Sequence, residues 1–123
     1  MGKQYDKQHA TTVVAIAVLA ANRLVSFAGD YASGTAGAGG TTDACGVSEN
    51  SAAIGDAVSV ITGYSAVVEA GAPISAGAFI KPGTSGKAAT GSITDNCGRA
   101  LEAAGADGAL IEVRLQNHVH PTT

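Results

Sequence analysis

Large aromatic side chains are nearly absent. The 123 residues contain no Trp, and the aromatic set is Tyr5, Phe27, Tyr31, Tyr64 and Phe79. Positive charge is scarce as well, with seven Lys and Arg against ten Asp and Glu and a formal net charge of −3. That balance argues against a nucleic-acid surface, where clustered cations supply most of the affinity. Lys3 and Lys7 are the strongest concentration, and Asp6 dilutes it. Long apolar runs are missing too: residues 10–21 fall well short of the ~20 that a spanning helix needs, so no membrane span is expected. Lys3 and Lys7 ahead of that run, with Leu19-Ala20-Ala21 behind it, imitate a signal peptide, which keeps a secreted β-rich binding module as an alternative. Asp6 in the would-be positive region opposes that reading, and the run is read as strand.

What is present is glycine and alanine. Seventeen Gly and many Ala leave few large side chains for a core, and the chain is long enough for one domain. Burying a Val, Leu or Ile contributes about 1.5–3 kcal/mol, while ordering costs act on every residue, so help from partner subunits is expected.

One pattern occurs twice. Asp43-Ala44-Cys45-Gly46 leads to Ile54-Gly55-Asp56-Ala57-Val58-Ser59-Val60, and Asp95-Asn96-Cys97-Gly98 leads to Ala106-Asp107-Gly108-Ala109-Leu110-Ile111-Glu112-Val113. In each copy a Cys-Gly step opens a strand, an acidic residue follows (Glu49, Glu102), and a Gly/Asp turn precedes a β-branched strand, which reads as a duplicated hairpin. Self-similarity of this kind points to scaffold geometry. Along the body, short apolar runs alternate with turn residues at strand spacing, predicting strands at 12–18, 23–28, 44–48, 57–62, 64–69, 78–81, 88–90, 98–103 and 109–116. The fold class is therefore all-β, a small β-barrel or jelly-roll-like sandwich with a duplicated hairpin and extended arms. Residues 1–9 form an N-terminal arm, 10–116 the barrel and 117–123 a C-terminal tail. The polar ends carry no pattern that would bury them within one domain, so they are expected to dock on neighbouring molecules.

Candidate chemistry is thin. The glycine-rich stretch 33–42 lacks the Lys-Ser/Thr and helix start of a phosphate loop and is read as a loop or surface flap. Cys45 and Cys97 occupy equivalent positions and are read as small buried thiols, with a disulfide as the alternative; no cationic or basic partner marks either as a nucleophile. His118 and His120 project from one face of an extended chain, but two ligands are too few, so no metal and no cofactor are expected. Glu49 and Glu102 match by repeat, and Asp56 and Asp107 are turn residues. Gly55-Asp56-Ala57-Val58 with the segments 68–71 and 74–77 is similar to biotinyl and lipoyl carrier domains. Lys81 and Lys87 lack the context of the carrier lysine, and that reading stands as a further alternative.

The order of motifs resembles the capsid cement, or head decoration, proteins of tailed bacteriophages. The likeness runs through Asn22-Arg23-Leu24-Val25-Ser26-Phe27, Cys45-Gly46-Val47-Ser48-Glu49, Gly55-Asp56-Ala57-Val58, the segment 68–77, Gly86-Lys87-Ala88, Gly98-Arg99-Ala100-Leu101-Glu102 and the closing strand at 107–115. The resemblance implies a non-enzymatic β-barrel protein, made in the host cytoplasm and located in the virion. It would bind the outer capsid surface and bridge subunits of the major capsid protein as a homo-oligomer, a trimer being favoured over a dimer. In that setting the arms are the contacts, through Lys3, Gln4, Tyr5, Lys7, His9, Gln116, His118 and His120.

Overall fold

Strand-forming residues and turn chemistry place eight strands in chain order in a computed structural model that describes residues 7–32, 44–93 and 96–115, with side chains from Ala10 onward. They are β1 (Lys7–Val14), β2 (Leu24–Ser26), β3 (Ala44–Ser48), β4 (Ala57–Glu69), β5 (Phe79–Pro82), β6 (Ala88–Thr90), β7 (Gly98–Ala100) and β8 (Leu110–Leu115). All pairings between them are antiparallel, in the order β2-β3-β4-β8-β7-β5-β6 with β1 also on β4. The sheet is all-β and nearly closed, a small barrel. Between β5 and β6 the chain makes a single 3-10 turn at Thr84–Gly86.

Two expectations are corrected. The strand predicted at 12–18 begins at Lys7 and ends at Val14, because from Ile16 the backbone bonds to the Gly29 carbonyl rather than along β4. Residues 7–9, read from sequence as arm, thus belong to β1. The strands predicted at 57–62 and 64–69 are one 13-residue strand. Its first half pairs with β1 and β3, and its second half pairs with β8.

The duplicated hairpin is present, as β3-β4 and β7-β8, and the duplication extends well beyond it. Val13 faces Val58 as Val68 faces Ile111, and Val25 faces Gly46 as Ile80 faces Gly98. Leu19 and Ala52 exchange two backbone hydrogen bonds, and so do Ile74 and Ala104. The Gly55 N–H donates to the Ala15 carbonyl as the Gly108 N–H donates to that of Ala70, and both glycines sit near φ +90. Two successive units are therefore built alike: β1, β2, β3 and the first half of β4, then the second half of β4, β5, β7 and β8. Each curls back on itself, the first through the Ile16 N–H on the Gly29 carbonyl and the second through the Gly71 N–H on that of Ala88.

This architecture explains how a lean composition still makes a core. The apolar interior divides into two clusters. One holds Ala15, Leu19, Val25, Ala52, Val58 and Val60 of the first unit. The larger one centres on Val68, Ile74, Ile80, Ile111 and Val113 of the second unit and takes in Leu24, Val47 and Ile61 of the first, so it also seals the seam. Gly46 and Gly98 hold equivalent places where the facing strand comes too close for a side chain. A Cβ would lie 2.2 Å from the Ile61 carbonyl oxygen in one case and 2.3 Å from that of Arg114 in the other.

Candidate functional site

The units differ most in the loop after their second strand, and that difference builds a polar site. In the first unit the chain reverses tightly, with the Gly29 N–H donating to the Ser26 carbonyl. In the second the corresponding loop is longer and carries the 3-10 turn, whose Gly86 sits 2.5 Å, measured from an ideal Cβ, from the Leu24 carbonyl oxygen of the first unit. Arg23 clamps this loop. Its Nε and Nη2 donate to Glu69 Oε1 at 3.2 and 3.1 Å, and its Nη1 donates to the Ser85 carbonyl at 3.1 Å. The guanidinium also lies 5.9 Å from the Tyr31 ring centroid. Lys87 continues the network, with Nζ 3.2 Å from Asp107 Oδ1 and 3.5 Å from Glu69 Oε2. The hydrogen bond from Lys87 to Asp107, reinforced by both carboxylates, raises the Lys87 pKa above its ordinary 10.5.

Beside these charges lies an open groove of about 610 Å³, lined by the small residues Gly71, Ala72, Gly83, Ala88 and Ala89 and by Arg23, Thr84, Ser85, Lys87 and Asp107. Its charged groups are committed to one another, which makes the network a staple between units. Lys87, in the β5-β6 loop, is paired with Asp107 and Glu69, and Lys81 lies within β5.

The equivalent end of the first unit is apolar. Ile16, Val18, Phe27 and Ile54 are 57, 68, 59 and 68% exposed, and Val14 is 59% exposed. Their loops are joined by backbone hydrogen bonds, Ile16 to Gly29, Ala15 to Asp56 and Leu19 to Ala52, so they form one end of the barrel. By the repeat, Val14, Ile16, Val18 and Ile54 correspond to Glu69, Gly71, Pro73 and Asp107 of the second unit. An exposed apolar cluster of this kind on a small protein marks a contact surface.

Of the residues expected to make contacts, Lys7 and His9 lie in β1, opposite Tyr64 and Gly63. Lys3, Gln4, Tyr5, Gln116, His118 and His120 lie outside the described residues, as does the glycine-rich stretch 33–42. The two ends of the barrel chain nevertheless converge: Lys7 pairs with Tyr64, and Arg114, near the end of β8, pairs with Ser65. Arg114 stacks on the Tyr64 ring at 5.6 Å. The first and last described residues therefore both lie beside the middle of β4.

The remaining candidates are structural. Cys45 and Cys97 form no disulfide; Cys97 is buried, and burial pushes the half-buried Cys45 thiol up from its ordinary 9.0. The Glu49 carboxylate accepts from Ser59 Oγ at 2.7 Å, and that of Glu102 accepts from the Glu112 N–H at 3.0 Å, equivalent braces across the two hairpins. Asp56 is a turn residue whose Oδ2 accepts from the Ala53 N–H. Among the described residues no His, Cys, Asp and Glu cluster could hold a metal ion. Sequence reasoning missed the Arg23–Glu69 staple, whose partners are far apart in the chain. It also missed the apolar end, which a comparison of segment 14–18 with 69–73 would have flagged.

A family model described as phage cement protein matches residues 4–115. The chain belongs to the phage cement protein family. This cement protein is thus a structural protein of the phage head, associated with the virion, and not an enzyme. Its fold is similar to the crystal structure of the head fiber gp8.5 N base in bacteriophage phi29. The TM-score is 0.65 at 23% identity, covering 88% of this chain and 93% of that one. No curated protein matches this cement protein.

Proposed function

We propose that this cement protein binds the outer surface of the assembled head and bridges neighbouring subunits of the major capsid protein, with its terminal arms as the capsid contacts. The supporting observation is the convergence of β1 and β8 on Tyr64 and Ser65, which brings the two arms out at one point of the barrel. Lys3, Gln4 and Tyr5 on one arm and Gln116, His118 and His120 on the other then act as a single bipartite anchor, with Lys7 and His9 at its root. Two weak contacts on one rigid body engage together, and repeated placement on a lattice raises the effective affinity by orders of magnitude. The protein acts as a homo-oligomer, trimers at threefold positions being favoured over dimers. It is made in the host cytoplasm and joins the capsid surface.

The test is cosedimentation with heads that lack the protein, followed by heating of the decorated heads. Saturable binding that raises the temperature of DNA release is expected, together with weaker binding after deletion of residues 1–6. Absence of binding to both empty and filled heads would overturn the proposal.

A further inference from the structure

We propose that the outer face of β5, β7 and β8 binds carboxylate groups on the surface of the major capsid protein, through Arg99 and Arg114. The proposal rests on the capsid-binding reading above and adds the chemistry of the partner.

Strand pairing puts the two arginines side by side. Arg99 faces Arg114 across β7 and β8, Phe79 faces Arg99 across β5 and β7, and Ser65 faces Arg114 across β4 and β8. Directly opposed residues share one face of a sheet, with Cβ atoms about 4.5–5.5 Å apart. Their chain neighbours Ala66, Ile80, Ala100 and Val113 are buried, so this row lies on the outside of the barrel, and both arginines are exposed. Like charges directly opposite each other destabilise a sheet. Even so, neither arginine forms an ion pair with a described carboxylate, whereas Arg23 and Lys87 are neutralised by Glu69 and Asp107. Glu112, two residues before Arg114 on the same face, accepts instead from Ser65 Oγ at 2.8 Å.

Both guanidinium groups are held ready. Arg99 lies 4.7 Å from the Phe79 ring centroid, and its Nε and Nη2 donate to the Gly77 carbonyl at 2.9 and 2.7 Å. Arg114 stacks on Tyr64, and no hydrogen bond to a described residue occupies its guanidinium. Stacking fixes the plane of each fork, so a carboxylate meets donors that are already ordered and the entropy lost on binding is smaller.

The surroundings of the pair fit a protein partner. Tyr64 and Leu101, the latter two residues beyond Arg99, are 45 and 47% exposed. Arginine beside tyrosine and apolar groups is the make-up of the energetic centre of a protein contact. A nucleic acid draws its affinity from a wide field of clustered cations, which a chain of net charge −3 does not offer. One or two carboxylates need only the pair. The row also begins at Tyr64, opposite Lys7, and so continues from the root of the terminal anchor.

The test is a cosedimentation titration on empty heads that lack the protein. Arg99→Gln and Arg114→Gln should each weaken binding on the order of tenfold, the size of one lost charge-assisted hydrogen bond. Arg114→Gln should keep or raise the melting temperature, because it relieves the like-charge contact, which separates docking from folding. Lys87→Gln makes the same charge change at the groove and should bind like the wild type. Arg114→Lys, treated with a carbodiimide while bound to heads, should form an amide between residue 114 and an Asp or Glu of the major capsid protein, located by mass spectrometry. Unchanged affinity of the chain carrying both glutamines, on heads that bind the wild type, would overturn this inference and leave the capsid reading standing. Coupling of residue 114 only to carboxylates of this chain, within one copy or between copies, would do the same. Absence of wild-type binding to heads would overturn both.

Discussion

Gly46 within β3 and Gly98 at the start of β7 each lie on the first strand of a duplicated hairpin and let the backbone of the second strand, β4 or β8, approach to a distance that no Cβ tolerates. Gly46→Ala and Gly98→Ala should each destabilise the fold by about 1–3 kcal/mol, the usual cost of overpacking a rigid site. Gly105→Ala, with no atom near its would-be Cβ, should stay within about 0.5 kcal/mol. Urea denaturation of the three variants checks this. Two titrating groups act in one direction. Burial raises the Cys45 pKa, and the hydrogen bond to Asp107 leads the rise at Lys87. In both cases the folded state holds its proton more tightly than the unfolded chain, so their contributions are complete below the ordinary values of 9.0 and 10.5. Those contributions are lost as pH rises through the raised folded values. Melting temperature should therefore fall as pH rises above about 9, and Cys45→Ala combined with Lys87→Met should flatten that fall.

At the scale of elements, β4 decides the architecture, since one strand closes the first unit and opens the second. Leu19 and Ile74 are equivalent plugs, buried in the first and second cluster and tied by backbone bonds to Ala52 and Ala104. Leu19→Ala and Ile74→Ala should each cost about 2–5 kcal/mol, the range for emptying a packed site, measured by chemical denaturation. The loop at 83–87 is fastened to the first unit by Arg23, whose side chain and that of Glu69 are only 15 and 23% exposed. Charge-assisted hydrogen bonds at such exposure are worth about 1.5–3 kcal/mol together. Arg23→Ala should lose about that much, and a double-mutant cycle with Glu69→Ala should show the two residues coupled. Independent effects would mean that the loop is held by packing on Leu24 and Tyr31 alone.

For the whole molecule, two repeats with small cores share a strand, and the surfaces left over are an apolar end and a groove beside the Arg23 and Lys87 network. Because β1 already includes residues 7–9, the useful truncation stops before Lys7. Deletion of residues 1–6 should leave the melting temperature within about 2 °C, a shift equivalent to less than about 0.5 kcal/mol in a domain of this size. The same deletion should reduce occupancy on heads in a cosedimentation titration. Deletion of residues 1–9 should also destabilise the barrel, because it removes the β1 residues that pair with Gly63 and Tyr64.

Composition and spacing by themselves determined the all-β class, most strand positions and the existence of a repeat. Alternation of β-branched residues and Gly/Asp turns acts locally, and a hairpin needs little else; 44–48 and 88–90 match β3 and β6 residue for residue. The order of motifs also pointed to the cement family. Tertiary structure alone decided how far the repeat extends, because insertions change the spacing between copies and only the pairs of facing residues, Val13 with Val58 and Val68 with Ile111, show the equivalence. It alone joined 57–62 to 64–69, since continuity of a strand depends on its neighbours in the sheet. It also brought Arg23 to Glu69 and Ser85, and collected Ile16, Phe27 and Ile54 on one end, because contacts between distant segments follow from chain reversal and packing, which no local pattern encodes.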